Sequence, residues 1–374
     1  MIFEDLDGST GPESTELDPR FDGVLRPGAD PLLTEALLPV LHPGDSHAAS
    51  LTETPDGDLL CAWFNGPQEG DPGTNVVLSR LPAGGTSWQQ PILIAADPEH
   101  SEQNPVIFTD PDGMIWLLHT SNTPHDRRDA VVYARTSTDG GRSWSEPWVL
   151  MAGPGVFLRN PPQFQPDGSW LLPIYRVTDQ GEYSVAAIST DHGRSWAEHV
   201  VDESLGRVQL SVAERSDGSL LGLLRSRDAD RIYATSSDDL GRTWTTPIRT
   251  ELPNNNSAIQ LLRLTDGRLV VIFNDATLER DQFRWVDGPD GPLTRRKAVR
   301  TPLTLAISAD DGRTWPIRRN LQNADIEYRD RPMGYSYPAL LQTSDGRLQA
   351  AYSMLRKTIK HVTFEPDWIE ADAG

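Results

Sequence analysis

Cysteine is all but missing from this chain of 374 residues: Cys61 is the only one. No disulfide can form within it, so the fold cannot depend on an oxidising compartment. Cys61 stands in the apolar run Leu59-Leu60-Cys61-Ala62-Trp63 and reads as a small buried hydrophobe rather than a nucleophile. Lysine is almost as scarce, with Lys297, Lys357 and Lys360 the whole complement, so arginine carries the positive charge. That charge is itself in deficit, 34 Lys and Arg against 54 Asp and Glu, a net of −20. Such an anionic excess disfavours nucleic acid and anionic membranes as partners. No apolar run reaches the roughly 20 residues of a membrane span. The acidic start Met1-Ile2-Phe3-Glu4-Asp5-Leu6-Asp7 lacks the basic and apolar regions of a signal peptide, and a cytoplasmic protein is expected. No His-x-x-x-His, paired cysteines or phosphate-cradling glycine loop occurs, so no metal and no other cofactor is expected.

What the chain has in abundance is repetition. The octapeptide Ser137-Thr138-Asp139-Gly140-Gly141-Arg142-Ser143-Trp144 returns at Ser189 to Trp196, Ser237 to Trp244 and Ser308 to Trp315, always as S-x-D-x-G-x-x-W. An Asp that accepts backbone N–H bonds, a Gly that allows positive φ and a Trp that folds back as an apolar plug make a tight turn. A second repeat runs out of phase with the first: Asp-Gly between apolar runs at Asp56-Gly57, Asp112-Gly113, Asp167-Gly168, Asp217-Gly218, Asp266-Gly267 and Asp345-Gly346. Asp-Gly in that setting is a strong hairpin signal. Spacings of 56, 55, 50, 49 and 79 residues between these turns suit propeller blades of four short strands.

The pattern predicts an all-β fold, a six-bladed β-propeller of four-stranded antiparallel blades. Residues 1–24, rich in Asp, Glu, Pro, Gly and Ser, are expected to form a flexible acidic arm, and 25–374 a single domain. The segment Val24 to Leu41 has no Asp-Gly hairpin and is expected to close the ring as the outer strand of the last blade. The long fifth interval holds a polar insertion, roughly Thr277 to Arg300, expected as a loop on one face and a candidate lid.

Geometry sorts side chains by face. Both kinds of turn fall on one side of such a disc, and the starts of the innermost strands and the ends of the second strands fall on the other. Counting back from each Asp-Gly gives His47, Gln103-Asn104, Arg159-Asn160, Gln209, Asn256 and Tyr335-Ser336-Tyr337; counting forward gives Glu69, His119, Tyr175-Arg176, Arg225, Asp275 and Tyr352. Polar residues at the mouth of an apolar ring suit a sugar funnel, and arginines among them suit a substrate carboxylate.

These repeats resemble the Asp-box, or BNR repeat, of the sialidase superfamily. Ser46-His47-Ala48, Glu69-Gly70, Gln103-Asn104-Pro105, Arg159-Asn160-Pro161-Pro162, Asn256-Ser257 and Tyr335-Ser336-Tyr337-Pro338 extend the likeness over residues from about 40 to 364. The resemblance implies an exo-acting glycoside hydrolase that removes a terminal sugar from a sialate- or uronate-containing glycan. Arg159 and Arg225 would clamp the carboxylate, Tyr337 or an activated water would attack the anomeric carbon, and Glu69 or Asp71 would be the proton donor. The Arg-Ile-Pro of true sialidases is missing, and His47 stands roughly in its place. A lyase of a rhamnosyl-glucuronate-type linkage is the alternative, with Arg159 and Asn160 neutralising the uronate carboxylate, His47 or Tyr337 as base and His119 assisting the leaving group. A non-catalytic carbohydrate-binding propeller is the second alternative. Catalytic candidates are thus His47, Glu69, Tyr337 and Arg159; substrate-binding candidates are Gln103, Asn104, His119, Asn160, Tyr175, Arg176, Gln209, Arg225, Asn256, Asp275 and Tyr335. The expected partner is an oligosaccharide with a carboxylated sugar.

Overall fold

The computed structural model describes residues 18–124, 126–277, 300–323 and 334–371, with the backbone of Phe283–Gly288 and Gly291–Ala298. Each Asp-Gly turn joins an innermost strand to a second strand, as in Asp45–Glu53 with Leu59–Gly66 and Ser101–Thr109 with Ile115–Asn122. A third and a fourth antiparallel strand follow, and the unit recurs six times. Among the described residues there is no α-helix, only a 3₁₀ turn at Pro366–Ile369.

The second strands lie between two neighbours within a blade and between two blades, so their sequences are continuously apolar rather than alternating. All eight residues of Leu59–Gly66 are buried. Wedges of apolar side chains fill the gaps between blades. Val106, Leu118 and Val132 of the second blade, for instance, meet Trp170, Leu172 and Val185 of the third.

The octapeptides close the outer turns by one repeated set of bonds. Ser137 Oγ donates to Asp139 Oδ1 (2.8 Å) and accepts from the Gly141 amide (2.8 Å), while the amide and hydroxyl of Ser143 donate to the two Asp139 oxygens (2.8 and 2.6 Å). The same bonds recur around Asp191, Asp239 and Asp310. These turns also tie blades together: Ser216, beside one Asp-Gly turn, donates from its amide to Asp311 of the next blade at 2.9 Å.

Ring closure follows the sequence expectation. Thr34–Leu37 pairs antiparallel with Thr358–Phe364, from Thr34↔Thr363 to Leu37↔Lys360, and so supplies the fourth strand of the last blade. Most of the expected acidic arm, residues 1–17, lies outside the described residues. From Asp18 onward the chain runs along the first blade, where the Trp88 amide donates to the Gly23 carbonyl at 2.9 Å. The polar insertion is not a loop throughout: Phe283–Gly288 and Gly291–Ala298 form a two-stranded hairpin closed by Gly288↔Gly291.

Candidate active site

Each innermost strand begins at the mouth of the ring, and four of the six begin with a bulge. The register slips by one residue between His47 and Ser50, Gln103 and Val106, Val208 and Ser211, and Ser336 and Ala339. The first bulged residue is left-handed each time although none is glycine: Ala48 (φ 61°), Asn104 (47°), Gln209 (55°) and Tyr337 (53°). Asn256, at the corresponding place in the fifth blade, has φ 61°. Each such residue carries backbone strain of about 1–3 kcal/mol. A bulge re-aims its side chain, and the effect is to turn one residue per blade out of the strand alternation. In the third blade Pro161-Pro162 does the work instead. Without N–H groups they break the inner strand into Val156–Leu158 and Gln163–Phe164, and Arg159-Asn160 leaves the sheet.

Tyr337 is where these side chains meet. Its phenol oxygen lies 2.6 Å from Arg225 Nη1, and the guanidinium carbons of Arg159, Arg225 and Arg300 stand 5.4, 5.4 and 5.3 Å from its ring centroid. The His47 ring is 4.2 Å away, centroid to centroid. Arg225 is held in place by Asn256 Oδ1, which accepts from Nε and Nη2 (2.9 and 2.7 Å), and by Gln209 Oε1 (2.9 Å). Burial alone would push the Tyr337 phenol up, but Arg225, with Arg300 and Arg227, outweighs burial and the opposing Glu69 charge, and brings its pKa down to about 7. Burial lowers Arg300 to about 10. Burial, reinforced by Arg356, Arg300, Arg159 and Arg225, keeps His47 far below its ordinary pKa, so its ring is neutral. His47 Nδ1 lies 2.6 Å from Ser353 Oγ, and its buried Nε2 has no partner among the described residues.

At the rim, Glu69 pairs with Arg356 (2.5 Å), which also binds Asp45 (2.8 Å). Burial pushes the Glu69 carboxyl up, but Arg356 and further arginines override it, and the group is held ionised. Asp71 follows in the same loop, whose Thr74 amide donates to the Asp71 carbonyl (3.2 Å). A second cluster stands beside the first: Arg127 Nη1 donates to Glu182 Oε1 (2.5 Å), and Arg227 donates to Glu182 Oε2 (2.7 Å). The Arg127 side chain also reaches the Tyr175 hydroxyl (3.3 Å).

Not every expected residue faces this cluster. Arg159 spends its terminal nitrogens on main-chain carbonyls, of Ala49 (2.9 Å), Tyr337 (2.8 Å) and Pro338 (2.7 Å), and so braces three blades across the axis. Asn160 donates to the Gln209 and Leu210 carbonyls (3.1 and 3.0 Å) and ties the third blade to the fourth. Tyr175 and Arg176 cannot share a face, because side chains alternate along a strand. Tyr175 packs on Phe157 beside the second cluster, whereas Arg176 turns to Glu198 and the Gly153 carbonyl, away from Tyr337. His119 forms its own buried group, 2.8 Å from Glu102, which accepts from Ser121 (2.8 Å). Gln103 donates to Ser101 (2.8 Å). Tyr335 packs edge-on against Tyr352 in the core between the fifth and sixth blades. The Asp275 amide donates to the Pro302 carbonyl (3.2 Å) at the foot of the insertion.

Arg300, Arg356, Arg127 and Arg227 escaped the count along the sequence, which took in only strand starts and ends. All four lie in the connections between second and third strands, which open on the same face, and that position was the signal available. Among the described residues no group of three or more His, Cys, Asp and Glu forms a metal cluster.

Residues 57–350 match the family model for the BNR repeat-like domain. The chain is 26% identical to a sialidase of Micromonospora viridifaciens over 396 aligned positions, which take in 92% of this chain and 55% of that protein. It is 24% identical to a sialidase of Bacteroides fragilis (strain YCH46) over 371 positions, 87% of this chain and 63% of that one. The chain thus spans little more than half the length of these relatives. Among solved structures, the Hadza microbial sialidase Hz136 superposes with a TM-score of 0.68 at 18% identity, over 87% of this chain and 66% of that one. By its repeats, its ring of blades and these likenesses, the chain belongs to the BNR repeat-like domain family, as a sialidase-like six-bladed propeller.

Proposed function

We propose that the protein is an exo-glycosidase that removes a terminal, carboxylated sugar from an acidic glycan. The observation that carries this reading is a tyrosine with a pKa of about 7 under three guanidiniums, at the mouth of the ring. Arg225 and Arg300 suit a carboxylate, since their terminal nitrogens are not locked onto main-chain carbonyls as those of Arg159 are. Tyr337, ionised near neutral pH, attacks the anomeric carbon; the bond to the leaving oxygen breaks, and that oxygen takes a proton. Water then displaces the phenolate and releases the sugar. Asp71 suits the proton donor better than Glu69, whose carboxylate is held ionised by Arg356. Sialic acid and uronic acids both carry the required carboxylate, and the sialidase relatives favour the former.

A second reading is β-elimination from a rhamnosyl-glucuronate-type linkage: Tyr337 abstracts the proton next to a carboxylate neutralised by Arg225 and Arg300, a C=C bond forms as the C–O bond to the leaving sugar breaks, and the leaving oxygen takes the proton that Tyr337 then carries. It is favoured by the ion-paired state of Glu69, because elimination by a phenolate asks less of a nearby acid. Sialosides and rhamnosyl-glucuronates incubated with the protein separate the two. Free sugar without ultraviolet absorbance supports the hydrolase, an unsaturated uronate absorbance supports the lyase, and binding without turnover of any of them refutes both.

A further inference from the structure

Arg300 comes to Tyr337 from another blade, at the end of the hairpin insertion, and something must hold it there. Four consecutive residues at the start of the sixth blade do so. The Tyr335 amide donates to the Arg300 carbonyl at 2.9 Å, Ser336 Oγ accepts from Arg300 Nη1 at 3.3 Å, and the Tyr337 ring lies 5.3 Å from the guanidinium carbon. Before them comes Gly334, with no side chain. A Cβ built there would fall inside the Cβ and the carbonyl of Arg300. Those atoms belong to the backbone or adjoin it, so they cannot swing aside as the end of a flexible side chain would. Gly334 is not left-handed, unlike the turn glycines, so it is space and not φ that excludes a side chain. Its carbonyl accepts from the Leu355 amide at 3.2 Å, which anchors Gly334 from the other side.

We infer that Gly334 is a positioning residue for the site: its bare Cα is the seat on which the Arg300 backbone rests, and that seat places the Arg300 guanidinium over Tyr337. The inference rests on Arg300 and Tyr337 belonging to the functional site, as proposed above. A substitution at Gly334 touches neither substrate nor Tyr337; it acts by lifting Arg300 off its seat. Displacements of about 1 Å at a reacting centre can lower rates by about 10²-fold.

The test reads the Tyr337 phenol itself and needs no substrate. Ultraviolet difference titration of the full chain, each variant minus its Tyr337→Phe counterpart, follows that one ionisation. Arg300→Gln should move the ionisation upward from about 7, and Gly334→Ala should move it the same way. The double variant Gly334→Ala/Arg300→Gln should titrate like Arg300→Gln alone, because Gly334 acts only through Arg300. A folded Gly334→Ala protein that titrates as wild type overturns the inference, as does a double variant whose shift is the sum of both. Should Gly334→Ala lower the melting temperature too far to titrate, adding Arg300→Gly, which removes the Cβ at 2.0 Å and frees the backbone that carries the clashing carbonyl to shift, should raise it again in part; no recovery overturns the inference. Wild-type protein inactive on every acidic glycoside would sink the proposed activity, while the titrations would still decide the placement of Arg300.

Discussion

Arg225 Nη1 and the Tyr337 hydroxyl lie 2.6 Å apart, across 112 residues of sequence and two blades of the ring. Both groups are buried, and each changes the other: the guanidinium favours the phenolate, and the phenolate offsets part of the cost of burying the guanidinium. The remaining arginines, the neutral His47 and the rim carboxylates are arranged about this bond. Its consequences can be measured.

The ionised phenol should set the acid limb of the pH profile. Turnover should be lost as pH falls below about 7, and Tyr337→Phe should abolish it while sugar binding persists. The same shift should appear in stability. An acid whose folded pKa lies below its unfolded value of 10 stabilises the fold fully above 10, and that stabilisation disappears as pH falls from 10 to about 7. Melting temperatures of wild type and Tyr337→Phe should therefore diverge in the wild type's favour between pH 7 and 10; parallel curves would contradict the assignment.

Arg225→Lys keeps a charge but loses the fork that binds Asn256 twice, Gln209 and Tyr337. It should lower kcat/KM on an acidic glycoside by about 10² or more, the scale for loss of one positioned donor. Equal activity of the Lys variant would mean that charge alone suffices.

The two carboxylates of the rim loop should part company. Glu69 opposes Tyr337 ionisation, so Glu69→Gln should shift the acid limb to lower pH. Asp71→Asn should lower kcat without moving that limb. If Glu69→Gln instead removes the alkaline limb and Asp71→Asn is silent, Glu69 is the proton donor despite its pairing with Arg356.

The octapeptides should govern acid stability. Hydrogen bonds from Ser195, first its hydroxyl and then its amide, with one from Ser189, hold Asp191 at a pKa of about 2, and the same bonds lower Asp139 and Asp310. The folded values lie below the unfolded one, 3.8, so this stabilisation is present above about pH 4 and lost as pH falls toward 2. Asp191→Asn should flatten the fall in melting temperature across that window; an unchanged slope would show that other carboxylates dominate.

Blade number, ring closure by Thr34–Leu37 and the sorting of faces were all legible, because each rests on local signals repeated at a fixed period. Tyr337, Arg225, His47, Gln209 and Asn256 followed from counting along strands. What could not be read is whatever depends on blades meeting across the axis. Arg159 is a brace because the Ala49 and Pro338 carbonyls, 110 and 179 residues away, happen to face it. No residue type announces the left-handed bulges, since Ala48, Gln209 and Tyr337 occupy them where glycine would be easiest. Gly334 is the converse: a glycine with no turn to make, explained only by the backbone of Arg300 against it.

Tyr337, among Arg225 and Arg300, is proposed to act on a carboxylated sugar. The most direct measurement compares an acidic glycoside with its methyl ester, using wild type and Tyr337→Phe in parallel. Turnover is expected of the free acid alone, by wild type alone. Equal turnover of acid and ester, or full activity of Tyr337→Phe, would contradict it.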